Sequence, residues 1–427
     1  MFWTAWRGFI LFLRGKQAVK KRKTKKRRKL DNIALAFPVA AGKKDSRVFR
    51  IYCELKEPVE PQLLQNALEN VRRHYPMFQS VLKRGNFWFY FEKRDIRPFI
   101  RRDHKKPCSP IYRKDQETLL YEISYSGCRI NFEVFHALTD GTGAIRFLSE
   151  IVSDYLNRKY SLAVPPIEPI SEAAQEEDSF SRNYSAKNWP KQVRKSALAH
   201  QIRGKRLRQA DMEITECTVS VQRILKKARE RSVSITVYMT AILLKAIADG
   251  MAEKQKKRPV VIMIPINLRN YYHSQSMGNF FGWMEIEYRF CETTTFEEVL
   301  DHVKQRFKEE LDKEQVALRM NRLVNIEKNP VLRYVPLGLK NFFLKIGIWA
   351  GSRNVTAVLS NLSAVKMPEI YEPHIERFGV ITSTDKLQVC ACSYYDSFYF
   401  SITSKFADTG IQDRILDFLR QESVLEP

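Results

Sequence analysis

The segment Asn131–Gly143, Asn-Phe-Glu-Val-Phe-His-Ala-Leu-Thr-Asp-Gly-Thr-Gly, limits the possible folds of this chain more than any other stretch. Asn131, Phe132, Glu133 and Val134 alternate polar and apolar, the period of a strand. The segment ends with Gly141 and Gly143, which permit backbone angles that other residues resist. From Ala144 to Leu156 the apolar residues recur at helical spacing. The chain must therefore pass from a strand through a tight loop into a helix, with His136 where the strand stops. A junction of this kind can hold a proton-transfer group rigidly and still leave it open to substrate. A lone His at a strand end can equally be a hydrogen-bonded structural residue, so the rest of the chain has to decide between the two readings.

At 427 residues the chain exceeds one ordinary core and suggests two domains. Its 44% hydrophobic and 12% aromatic content is that of a folded protein. Net charge is +24, and residues 1–29 contribute twelve Lys and Arg with no acid, so half of the excess lies in a tail. The remaining body is moderately basic, which suits an anionic ligand without identifying one. In the tail, Phe2, Trp3, Trp6, Phe9, Ile10 and Leu13 share one side of a helical wheel, and a basic run follows. This pattern fits an in-plane anchor on an anionic membrane surface; a solvated tail and a nucleic-acid arm are the alternatives. The positive charges follow the apolar run instead of preceding it, which is not the signal-peptide order. No segment reaches the roughly 18 apolar residues of a spanning helix. Cys53, Cys108, Cys128, Cys217, Cys291, Cys390 and Cys392 are scattered and form no Cys-x-x-Cys pair. Neither a disulfide framework nor a structural zinc site is expected, and a reducing, cytoplasmic setting is.

Along the chain, strands are expected at 47–55, 81–91 (folded back at Gly85-Asn86), 119–125 and 129–135, with a helix at 61–75. Pro165-Pro166 and the acidic stretch after them open a crossover linker over 165–208. The second half reads as strands at 212–221, 259–266, 284–290, 354–360, 375–382, 386–394 and 397–404. Its helices are expected at 222–231, 234–251, 296–311, 337–350 and 411–419. Thr295 is the expected N-cap of the helix that starts at 296. The strongly apolar 337–350 helix reads as core or tunnel wall.

The spacing His136-x-x-x-Asp140-Gly141 resembles the motif of the chloramphenicol-acetyltransferase-like CoA-dependent acyltransferases. That superfamily includes alcohol acetyltransferases, plant BAHD enzymes, wax-ester synthases and peptide-synthetase condensation domains. Three further matches follow in order: Pro265-Ile266-Asn267-Leu268-Arg269, Gly278-Asn279-Phe280-Phe281-Gly282 and Leu359-Ser360-Asn361-Leu362. The resemblance covers residues 30–427. It departs at Phe135, where wax-ester synthases have a first His. It departs again at Phe281-Gly282-Trp283, which replaces a full Asp-Phe-Gly-Trp-Gly. Both departures set the chain apart from wax-ester synthases and strict plant-type enzymes. The resemblance implies an α/β fold of two similar subdomains, each a mixed sheet flanked by helices, with a channel between them. Residues 1–29 would be the tail, 30–164 the subdomain carrying His136, 165–208 the linker and 209–427 the second subdomain.

In chemical terms, acyl transfer from a thioester needs a base that takes a proton from an alcohol or amine and returns it to the departing thiolate. An imidazole suits both steps, and His136 is the candidate. The other histidines, in helices or polar loops, read as surface or packing residues. Asp140 could orient the imidazole as in a Ser-His-Asp triad, or it could be structural. The resemblance implies the structural role, in a pair with Arg269, while Gly141 lets the chain turn. Ser360 or Asn361 could steady the oxyanion or position substrate; either could instead be a hydrogen-bonded turn residue. Asn279 reads as fixing a loop between two strands. No resident cofactor or metal is expected, and acyl-CoA would be a co-substrate. The expected activity is an O- or N-acyltransferase of the alcohol-acetyltransferase type, acting on a small or lipophilic alcohol or amine. The rivals are a condensation-type enzyme using acyl-carrier-protein thioesters, and a non-catalytic membrane- or nucleic-acid-binding protein on the same scaffold.

Overall fold

A computed structural model describes residues 27–114, 116–166, 168, 170–185, 198–208, 211–328, 334–407 and 410–426. The aromatic arc of the tail lies outside these residues. Arg27–Lys29, assigned above to the tail, form a short strand that pairs antiparallel with Phe89–Lys93. Arg28 is set over the Phe91 ring at 4.5 Å, so the last residues of the basic run belong to the folded body.

Three sheets organise the described chain. The first half carries a five-stranded sheet in the order Ile375–Thr382, Val48–Leu55, Arg129–Phe135, Tyr121–Ser126, Arg101–Arg102. Helices Pro61–Val71 and Gly141–Tyr160 cover one face, over a knot of rings in which Phe78 stacks on Phe147 at 4.1 Å. The second half carries a six-stranded sheet in the order Phe281–Tyr288, Val260–Asn267, Ala357–Ala364, Leu387–Tyr394, Ser397–Ser404, Glu213–Ser220. Its two central pairings, to Ala357–Ala364, are parallel and the rest antiparallel. Parallel strands are usually buried on both faces, which fits the near-continuous apolar run of Val260–Asn267. Helices Ile235–Ala248, Phe296–Glu310 and Ile411–Gln421 pack together beside this sheet. Thr295 caps Phe296–Glu310 by accepting from Glu298 N–H. A small third sheet joins Arg27–Lys29, Phe89–Lys93 and Ser80–Arg84.

The halves exchange chain. Ile375–Thr382 leaves the second half and pairs antiparallel with Val48–Leu55 at the edge of the first-half sheet. There the Tyr52 ring lies against Gly379, where a Cβ would collide with it. The same strand packs on the 387–404 hairpin, and Ser401 Oγ donates to Val380 O at 2.5 Å. Leu387–Tyr394 lies between two cores. Val389 and Ala391 face the helices of the second half, and Cys390 and Cys392 face the first-half core. All seven cysteines are free thiols.

One expectation fails on burial, and the linker placed at 165–208 has packed residues among those described. Phe180 is buried, and Gln175 Nε2 donates to His74 O at 2.7 Å. Helix Leu337–Ser352, expected as core or tunnel wall, buries Leu337 and partly covers Leu344 and Ile348, but its other side faces solvent. An apolar pattern shows that a helix has something to cover, not which of its faces the fold covers.

Candidate functional site

His136 directly follows the last residue of Arg129–Phe135, and its N–H donates to Arg47 O at 2.8 Å. Its ring stacks on Phe37 at 4.3 Å and lies 4.8 Å from Phe49 and 5.7 Å from Phe281. The residue remains partly open to solvent. On the second half, Asn279 takes hold of it. Asn279 Nδ2 donates to the main-chain carbonyls of His136 and Ala137, at 3.0 and 3.3 Å. That leaves Asn279 Oδ1 as an acceptor 3.1 Å from His136 Nδ1. Nδ1 must then carry the proton, and Nε2 is the free base nitrogen. Burial is the main influence on the imidazole and pulls its pKa below the usual 6.5. Its own main chain, Asp140 and the Asn279 bond oppose this, and Arg47 adds to it.

Asp140 accepts from Arg269 at 2.7 Å, from Phe280 N–H at 2.9 Å and from Gly143 N–H at 3.1 Å. It is thus both the N-cap of Gly141–Tyr160 and a clamp on the other half. None of its hydrogen bonds reaches His136, which feels the carboxylate only through space. Arg269 also donates to Ser276 O and Gly278 O, both at 2.8 Å. One guanidinium therefore shapes the loop that presents Asn279. Thr139 Oγ1 donates to Met277 O at 2.6 Å, and Asn267 Nδ2 donates to Thr142 Oγ1 at 3.2 Å.

The two glycines allow this contact. A Cβ on Gly141 would lie 2.5 Å from Leu362 Cδ2, and one on Gly143 would lie 2.5 Å from Met277 O. Leu362 follows Ser360 and Asn361 in Ala357–Ala364. Asn361 is already engaged: Nδ2 donates to Thr236 Oγ1 at 3.0 Å, and Oδ1 accepts from Ser363 N–H at 2.9 Å. That favours the turn role for Asn361 and leaves Ser360, partly exposed, as the free hydroxyl of the pair.

The sequence reading missed Phe37, Phe49 and Asp31. Asp31 Oδ2 accepts from Asn279 N–H at 2.8 Å, so Asn279 is anchored on its far side as well. Burial raises the Asp31 carboxyl from 3.8 to about 6, although Arg28 lies 3.9 Å away and opposes the rise. No local pattern marks Asp31, since it follows a run of cations that looks like tail. Among the described residues no cluster of His, Cys, Asp and Glu could hold a metal ion. A surface hollow of about 410 Å³ is lined by Arg72, Arg73, Lys93 and Arg94 and includes none of the site residues. Of these cations, Arg72, Lys93 and Arg94 are paired with carboxylates.

No protein-family model matches the sequence, and no curated protein matches it. Solved structures do match along almost the whole chain. Polyketide synthase associated protein 5 from Mycobacterium tuberculosis is 13% identical, with 94% of this chain and 98% of that one covered at a TM-score of 0.60. TRI3 trichothecene 15-O-acetyltransferase from Fusarium sporotrichioides is 10% identical, over 92% and 94% of the chains, at 0.61. The starter condensation domain of rhizomide synthetase RzmA is 10% identical, over 93% and 96%, at 0.58. The chain thus has the two-subdomain, chloramphenicol-acetyltransferase-like fold shared by acyltransferases and condensation domains.

Proposed function

We propose that this protein transfers an acyl group, acetyl as first candidate, from a CoA thioester to an alcohol or amine. His136 acts as general base. The acceptor's proton moves to Nε2 as its oxygen or nitrogen attacks the thioester carbonyl carbon. The tetrahedral intermediate collapses with cleavage of the C–S bond, and the thiolate takes the proton back from Nε2. No acyl-enzyme is needed, because a thiolate is already a good leaving group. One observation carries this reading: Asn279 fixes the Nδ1 tautomer of an imidazole at the meeting of the two halves. The basic body suits the phosphates of CoA, Ser360 is the candidate to steady the oxyanion, and the free thiols suit a cytoplasmic setting.

The test follows thiol release from acetyl-CoA with a panel of alcohols and amines. A folded His136→Ala variant should lose turnover by about 10²–10⁴-fold; retained turnover would end the proposal. Likeness to a condensation domain favours one alternative donor, an acyl group on a carrier protein. Turnover with carrier-protein thioesters and none with acyl-CoA would select it.

A further inference from the structure

Leu337–Ser352 presents a bare apolar side. Phe342, Phe343 and Trp349 are 58%, 61% and 61% exposed, and Leu339 and Ile346 join them at helical spacing. The opposite side, with Leu337, Leu344 and Ile348, rests on the core that also takes in Phe37. The 82–90 hairpin fixes the helix start. Leu337 N–H donates to Asn86 O at 2.9 Å and Lys340 Nζ to Phe87 O at 3.0 Å, and exposed Phe87 widens the patch. Soluble surfaces rarely leave so many large rings together without a partner.

We infer that this helix docks the protein in the plane of an anionic lipid bilayer. At 16 residues it is about 24 Å long, too short to cross a hydrocarbon core of about 30 Å. It can lie in the interface with its rings among the acyl chains. Charge selects the occupant. From Lys328 to Pro368 the sequence has six Lys and Arg and no acid, with Lys345 and Arg353 exposed on the helix and just beyond it. Residues 1–26 hold nine more Lys and Arg and no acid. Like charge disfavours that segment, or a second copy's helix, as the cover for this face. An anionic membrane attracts helix and tail alike. The inference does not depend on the reaction catalysed.

The test uses full-length protein and vesicles of equal parts phosphatidylcholine and phosphatidylglycerol, compared with phosphatidylcholine alone. Combined Phe342→Ser, Phe343→Ser and Trp349→Ser substitutions, all at exposed positions, should weaken binding to the mixed vesicles by about tenfold or more. Independently, brominated acyl chains should quench Trp349, read as the difference between wild type and Trp349→Phe; this keeps the proposal testable if the triple variant misfolds. Unchanged affinity in the folded triple variant, or an unquenched Trp349, would overturn the proposal and leave the tail as the only anchor. So would equal binding to neutral vesicles. Shielding of Trp349 from an aqueous quencher in lipid-free protein would overturn it too, because residues 1–26 or a second copy would then cover the helix.

Discussion

At His136 the physical question is which nitrogen is the base and at what pH. Asn279 answers the first part, because its amide donors are committed to two carbonyls and only its oxygen remains for Nδ1. Burial bears on the second, pulling the imidazole pKa below the usual 6.5. The acid limb of kcat/KM should therefore have its midpoint below 6.5, with activity rising as pH rises through it. Asn279→Ala removes a bond that raises the imidazole pKa, so it should move this limb to lower pH. It should also cut kcat by about 10–100-fold with KM little changed, since a misplaced base is costly. A pH–rate profile of the variant checks both, and an unmoved limb would leave Asn279 a loop-fixing residue only. Asp31 has the opposite sign. Its folded pKa of about 6 exceeds 3.8, so the folded state holds the proton longer and stability falls as pH rises between these values. Asp31→Asn should remove that part of the slope, on the order of 2–3 kcal/mol, in denaturant melts from pH 4 to 7.

At the scale of elements, the site is two loops pressed together, 136–143 from the first half and 276–280 from the second. Gly143 faces a main-chain carbonyl, whereas Gly141 faces the end of the flexible Leu362 side chain. Gly143→Ala should thus destabilise by about 1–3 kcal/mol and Gly141→Ala by less, with Leu362→Ala relieving only the latter. Thermal melts of the two glycine variants, each with and without Leu362→Ala, give the comparison. Elements with a full apolar period were legible in the sequence: strands Ile375–Thr382 and Ser397–Ser404 begin and end where alternation places them. Helix Lys313–Lys328 carries a weak sequence signal, because only Val316, Met320, Asn321 and Val324 are buried and the rest is largely polar. Leu337–Ser352 was read as a helix, but its exposed side could not be.

At the scale of the whole molecule, Asp140 and Arg269 lock the halves at the base of the site. Removing either partner alone should cost about 3–5 kcal/mol, because the other is left charged and buried. Asp140→Asn with Arg269→Gln should cost less than the sum of the single changes, and a double-mutant cycle by chemical denaturation checks this. Additive effects would mean that the pair is not coupled. The sequence by itself determined the local devices: a strand ending at His136, the glycines that follow, and the apolar periods of most strands and helices. These depend on residues close in the chain, where spacing and backbone freedom decide. Only the tertiary structure decided that Asn279 holds Nδ1, that Asp31 supports Asn279, that Phe37 stacks on the ring and that strand Ile375–Thr382 crosses to the other half. Those contacts join residues far apart in the chain, and burial and hydrogen-bond partners of that kind exist only once the halves have met.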